Sequence, residues 1–306
     1  RSVEALDRGL AGACALARRG GARLRAVDVG VSPGPAAYEW SGDVVRPAAF
    51  RLPEGTRNFC AGDAMTGSEV DACLDVGRRE TEKMVGESPS GSRLVVCFGE
   101  VGIGNTTSSS ALIAALSGVP AEELCDGGAS VNRAGSNEAL VARKVSILER
   151  AMAFHGDKDF QADPKLALRA VGGAEIAALV GGMLECSERR IPVLVDGFIV
   201  TAAALVASLM DATATQVMLF ATRSTERGQA TALELIRRVA RDGGYPEPCE
   251  PALNMGLRMG EGTGALAALP LVRSACSITE MATLREVLDL DMSKSADASA
   301  DETPSS

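Results

Sequence analysis

Two glutamates and a lysine in this 306-residue chain stand where chemistry could be done. Glu261 sits between glycines in Arg258-Met259-Gly260-Glu261-Gly262-Thr263-Gly264. A carboxylate wrapped closely by backbone loses water, and desolvation lifts its pKa towards that of a useful general base; the competing reading is a solvated turn. Glu100 opens the run Gly99-Glu100-Val101-Gly102-Ile103-Gly104-Asn105-Thr106-Thr107. Its glycines let the backbone approach a ligand, and free amides at a helix start, with two threonine hydroxyls, suit a phosphate. A tight capped turn fits the same residues. The run holds no Gly-Lys-Ser/Thr and its glycine spacing misses the dinucleotide fingerprint, which argues against a Walker loop and a nicotinamide oxidoreductase. Lys144 lies at the edge of an apolar helical stripe, either a snorkelling surface charge or a cation aimed at a phosphate. Ser224-Thr225-Glu226-Arg227-Gly228 reads as a helix start with a capping hydroxyl, which could also offer donors to a ligand.

These residues need elements to hold them. Apolar runs predict strands at Leu24–Gly30, Leu94–Phe98, Ile191–Val195 and Val217–Phe220. Helical spacing predicts helices over 3–19, 68–84 (with Ser68 as cap), after Ser108, over 136–154, 174–185 and 201–210, from near Ser224, and over 265–283. Pro33, Gly34 and Pro35 break the chain, and 36–66 reads mostly as loop. Short apolar strands alternating with helices imply an α/β fold: three layers, α/β/α, around a mostly parallel Rossmann-like sheet, plus a smaller helical part. In such folds ligands sit beyond the carboxyl ends of the strands. Asp28, Glu100, Asp196 and Glu261 fall at or after strand ends and form a candidate acidic cluster.

Composition narrows the class. A formal charge of −9 argues against a nucleic-acid surface or an anionic membrane as partner, and no stretch of about 18 apolar residues offers a spanning helix. Any phosphate must therefore be held locally. The eight cysteines contain no Cys-x-x-Cys pair and read as reduced thiols packed as small hydrophobes, not as a metal site. The single histidine, His155, lies in a polar stretch at a helix end and is expected to be solvated, so a histidine-based centre is not read here.

Taken together, the motifs resemble the nicotinate-nucleotide:dimethylbenzimidazole phosphoribosyltransferase family of cobalamin biosynthesis. The resemblance rests on the Gly99–Thr107 run, Val141-Ala142-Arg143-Lys144-Val145, Val171-Gly172-Gly173 with Glu175-Ile176-Ala177, Pro192–Phe198, and Leu257–Ala265. Val27–Gly30, Gly55–Phe59 and Ala64-Met65-Thr66 are less specific stations, and the order holds from about residue 3 to about 282. It implies transfer of phosphoribose from nicotinate mononucleotide to 5,6-dimethylbenzimidazole, giving α-ribazole 5′-phosphate and nicotinate. Glu261 would be the general base, with Glu100 and Lys144 lining the site. Gly102, Ile103, Gly104, Asn105, Thr106 and Thr107 would hold the 5′-phosphate, and Asp196, Gly197, Ser224, Gly260 and Gly262 would complete the substrate contacts. No cofactor or metal is implied; the partners are these small molecules, with no nucleic acid and no membrane, in a cytoplasmic homodimer.

Two departures stand out. Ala221-Thr222 occupies the place of the family's Ser-His pair. The family's N-terminal acceptor-pocket motifs have no counterpart, so residues 1–292 are expected to be a phosphoribosyltransferase domain lacking its N-terminal segment, with 293–306 a disordered tail. A non-catalytic nucleotide-binding or interaction protein on the same fold is the alternative.

Overall fold

Three parallel strands in sequential order, β3-β4-β5, organise the part of the protein that carries the motifs. The structure is a computed structural model that describes residues 2–31, 44–52, 54–125, 138–257 and 259–286. In chain order the elements are α1 (Ser2–Asp7), α2 (Gly12–Gly20), β1 (Ala26–Asp28), β2 (Val45–Pro47), α3 (Gly67–Gly86), β3 (Val96–Phe98), α4 (Asn105–Ser117) and α5 (Ala121–Leu124). There follow α6 (Glu138–His155), α7 (Pro164–Val171), α8 (Ala174–Glu188), β4 (Val193–Val195), α9 (Phe198–Met210), β5 (Met218–Phe220), α10 (Gly228–Asp242) and α11 (Thr263–Ile278). Two compact units result, Arg1–Ala268 and Leu269–Ser306. Both sheets and every candidate site residue lie in the first. The second contains the C-terminal half of α11 and a helical turn at 284–286.

All three residues of β4 are buried, as expected of a central parallel strand covered on both faces. The crossover from β3 to β4 runs through α4–α8, and that from β4 to β5 through α9, whose residues Phe198–Ser208 are all buried. Helices α3 and α8 meet backbone to backbone. A β-carbon at Gly77 would overlap the Ala178 carbonyl, and one at Gly181 would overlap the Leu74 carbonyl. Only glycine allows that approach, and Val70, Cys73 and Val76 are buried on the same stretch of α3.

The parallel sheet flanked by helices agrees with the expected fold class, while several boundaries move. The predicted helix over 3–19 is two helices, because the chain turns at Gly9 (φ +69°) before restarting at Gly12. α3 is capped by Thr66 rather than Ser68: the Thr66 hydroxyl accepts from the Glu69 amide, and the Glu69 carboxylate accepts from the Thr66 amide. The helix expected near Ser224 begins at Gly228, and the last helix runs from Thr263 to Ile278. β2 pairs in parallel with β1 inside the region read as loop. α7, which starts with Asp163 as cap and Pro164 at its first position, has no counterpart among the predicted helices. The Pro33–Pro35 break and the 293–306 tail lie outside the described residues.

Candidate active site

The chain leaves β3 through Gly99 and leaves β4 through Asp196, and both exits face the loop before α11. Gly99 is the contact point: a β-carbon there would overlap the Gly262 backbone. The Glu261 amide donates to the Glu100 carbonyl at 3.1 Å, so the two glycine loops bind each other main chain to main chain. Three successive residues, Gly260 (φ +66°), Glu261 (φ +60°) and Gly262 (φ +77°), are left-handed. For Glu261 that conformation costs about 1–2 kcal/mol, and it persists because its surroundings over-determine it. The N-terminal turn of α2 also approaches this loop, where a β-carbon on Gly12 would lie 3.0 Å from the Met259 methyl.

Four carboxylates gather around this junction. Burial, together with the charges of Glu175, Asp196 and Glu261, pushes the Glu100 carboxyl up to about 7, against an opposing hydrogen bond donated by the Asn105 amide nitrogen. Glu175, at the start of α8, is also raised, by burial. Its carboxylate flanks Gly102, where a β-carbon would lie 2.9 Å from Oε1. Desolvation raises Glu261 too, and its carboxylate takes no hydrogen bond among the described residues. Asp196, 3% exposed and raised by burial, accepts from the Gly262 amide at 3.2 Å and the Ala265 amide at 3.0 Å.

Asp28 does not join this group. Its carboxylate accepts from the Gly30 and Val31 amides and pairs with Arg51 at 2.8 Å, tying down the end of β1. Glu175 takes the fourth place instead. Nothing local in the chain marks it out beyond the two glycines that precede α8.

The phosphate candidates sit at the N-terminus of α4. Gly102, Ile103 and Gly104 are exposed, with Gly104 left-handed at the cap and open space where its β-carbon would be. Asn105 is buried and turned towards Glu100. The first turn holds Thr106 and Thr107, no acidic residue and no side-chain cap; the Thr107 amide donates to the Gly104 carbonyl, which leaves the Asn105 and Thr106 amides to face a ligand. Gly197 caps α9 beside open space as well. Ser224 is held locally: its amide donates to Gln229 and its hydroxyl accepts from the Glu226 amide.

Lys144 is 6% exposed, which removes the snorkelling reading. Its charge acts on the buried Cys125 thiol in opposition to that of Glu226, which marks out a region beside α5. The carboxylates that act most strongly on Glu100 are a different set. His155 is a correction: it is fully buried. Nε2 lies 3.0 Å from the Phe59 carbonyl and Nδ1 2.9 Å from Lys158 Nζ, so the ring is neutral, donating from Nε2 and accepting at Nδ1. Burial and the Lys158 charge both lower its pKa. The residue expected in solvent is a structural tie between α6 and the loop after β2. Thr222, where the resemblance would place a histidine, is 3% exposed and packs its methyl beside Gly264. All eight cysteines are free thiols: Cys14, Cys73, Cys125 and Cys186 are buried, Cys60 and Cys97 partly so, and Cys249 and Cys276 are exposed.

Comparison with known proteins adds to this geometry. A phosphoribosyltransferase family profile matches residues 1–287. The nicotinate-nucleotide–dimethylbenzimidazole phosphoribosyltransferase of one Pseudomonas putida strain is 40% identical over 243 residues, 79% of this chain and 63% of the relative. Its counterpart from Xanthomonas oryzae pv. oryzae is 38% identical over 285 residues, 93% of this chain and 74% of the relative. The crystal structure of CobT from Thermus thermophilus aligns with a TM-score of 0.77 at 32% identity, covering 93% of this chain and 77% of that one. The chain thus spans between about three fifths and three quarters of the length of these relatives. Among the described residues no helix is long and apolar enough to cross a membrane.

Proposed function

Since the chain belongs to the nicotinate-nucleotide:dimethylbenzimidazole phosphoribosyltransferase family, we propose that it transfers phosphoribose from nicotinate mononucleotide to 5,6-dimethylbenzimidazole. One observation carries this reading: two glycine loops, docked main chain to main chain, present Glu100 and Glu261 beside the uncapped N-terminus of α4.

In the proposed reaction the α4 amides and the Gly102–Thr107 loop hold the 5′-phosphate. The bond from the anomeric carbon to the nicotinate nitrogen breaks with its electron pair going to the ring. That ring is already cationic, so departure needs no acid. Positive charge passes to the ribose, where ionised carboxylates stabilise it. The unprotonated nitrogen of dimethylbenzimidazole bonds to the opposite face of that carbon, with inversion, and its other ring nitrogen gives its proton to Glu261. Glu261 suits the task because partial burial raises its basicity and no protein donor among the described residues occupies its oxygens. The family resemblance adds Lys144, a buried positive charge beside α5, and Asp196, Gly197, Ser224, Gly260 and Gly262 shape the site. We also propose that the protein works as a cytoplasmic homodimer.

The test is Glu261→Gln, which preserves shape and removes basicity. Acceptor-dependent release of nicotinate, followed by chromatography, should fall by about 10²–10⁴ with little change in nicotinate mononucleotide binding. Turnover within about threefold of the parent would return Glu261 to the role of a turn residue. Binding of nicotinate mononucleotide with no transfer by the parent would instead favour a non-catalytic nucleotide-binding protein.

A further inference from the structure

The Asp196 carboxylate stands at the carboxyl end of the central strand, in the middle of the candidate site, yet it points at protein. Both of its oxygens accept backbone amides, Gly262 at 3.2 Å and Ala265 at 3.0 Å, from the two sides of the first turn of α11. At 3% exposure it offers almost no surface to a ligand. The loop it grips has reason to be gripped. Its three left-handed residues include the non-glycine Glu261, and among the described residues its other hydrogen bond to the rest of the protein runs from the Glu261 amide to the Glu100 carbonyl, beside the close Gly99–Gly262 contact. Gly264 fits this arrangement closely, since a β-carbon there would lie 2.6 Å from Asp196 Oδ1 and 2.5 Å from the Thr222 methyl.

We propose that Asp196 is a positioning residue rather than a substrate ligand: it anchors the Gly260–Ala265 turn to the end of β4 and so fixes the left-handed backbone that aims Glu261. The assignment rests on the reading of Glu261 as general base. Asp196 has a second effect through charge. With Glu175 on α8 and Glu261 on the loop it raises the Glu100 carboxyl, while the Asn105 amide on α4 opposes them.

Two variants separate these effects. In Asp196→Asn one oxygen is replaced by an NH₂ group that confronts a backbone N–H, so half the anchor is lost along with the charge. In Gly264→Ala the new methyl displaces the carboxylate and keeps its charge. Hydrogen exchange read by mass spectrometry over residues 259–266 should speed up at least about tenfold in both. In both, kcat should fall by about 10–100-fold with KM for nicotinate mononucleotide within about twofold. The rising limb of kcat against pH should move to lower pH in Asp196→Asn only. Faster exchange with kcat unchanged would reduce Asp196 to a structural clamp, and a raised KM with kcat retained would make it a substrate ligand. Unchanged exchange would refute the anchor itself. Should Asp196→Asn not fold, Gly264→Ala decides exchange and kcat alone. A parent protein that does not transfer phosphoribose overturns the reading of Glu261, whereas the exchange result still judges the anchor.

Discussion

Replacing Glu100 by glutamine should make the fold more stable in alkaline buffer while impairing turnover. The neutral form of Glu100 is favoured in the folded protein, where burial and three neighbouring carboxylates push its carboxyl from 4.5 up to about 7. A displacement of that size corresponds to about 3 kcal/mol, less what relaxation and residual solvent return, so about 2 kcal/mol is expected. The sign follows from proton counting. Between 4.5 and about 7 the folded protein holds a proton that the unfolded chain has released, so stability falls as pH rises through this window. Below it the parent carries no penalty from this group, and above it the penalty is complete. Glutamine carries no charge at any pH and still offers an oxygen to the Asn105 amide. Urea denaturation of parent and Glu100→Gln at about pH 4.5 and about pH 8.5 reads the effect directly. The variant should gain about 2 kcal/mol on the parent between the two conditions, while its rate of nicotinate release drops at least about tenfold. A stability difference that is the same at both pH values, within about 0.5 kcal/mol, would refute the reasoning and show that the Glu100 carboxylate is solvated.

Two further substitutions probe the frame around the site. Gly104→Val forces a β-branched side chain into a left-handed cap, so it should reshape the α4 N-terminus through strain rather than collision. Calorimetry should show nicotinate mononucleotide binding weakened about tenfold and nicotinate binding unchanged; equal weakening of both would remove the phosphate role. Gly181→Ala drives a methyl into the Leu74 carbonyl across the α3–α8 contact and should cost at least about 2 kcal/mol in urea denaturation. A loss under about 0.5 kcal/mol would mean that the helices can part without penalty.

What could be read from the sequence follows from the range of the interactions concerned. The Gly99–Thr107 and Gly260–Gly264 runs were legible because a glycine-wrapped carboxylate before a helix is a local pattern. That they touch is not local: Gly99 and Gly262 belong to different parts of the chain, and their contact becomes visible only when β3 and the loop before α11 are placed side by side. Glu175 was hidden for the same reason, since it acts on Glu100 only because α8 packs its first turn beside the α4 cap. Asp196 was legible as a strand-end carboxylate, but the direction of its oxygens was not. His155 misled because the residues that follow it are polar, whereas its ring is buried against Phe154 and Phe160 and hydrogen bonded to the Phe59 carbonyl. Thr66 displaced Ser68 as the cap because the position three residues after Thr66 is Glu69, which completes a reciprocal pair that Ser68 cannot form.

A cluster of carboxylates is at first sight a poor neighbour for a phosphate, yet the substrate of the proposed reaction carries both signs of charge. Its phosphate is anionic and its ring nitrogen cationic, with the ribose between. The site has the matching polarity. The N-terminus of α4, with no acidic residue in its first turn, presents the positive end of a 13-residue helix. Asn105, at the start of that helix, hydrogen bonds Glu100 through its side-chain amide, and the charges of Glu175 and Glu261 act on the same carboxyl. In the proposed reaction, positive charge would move from the ring to the anomeric carbon as the glycosidic bond breaks and stay within the field of the carboxylates. The field therefore stabilises the transition state without reorganising, which is where electrostatic catalysis draws its advantage. A Glu100 carboxyl near 7 suits this arrangement: the cationic ring of the bound substrate favours its ionised form, so the negative charge is in place before the bond breaks.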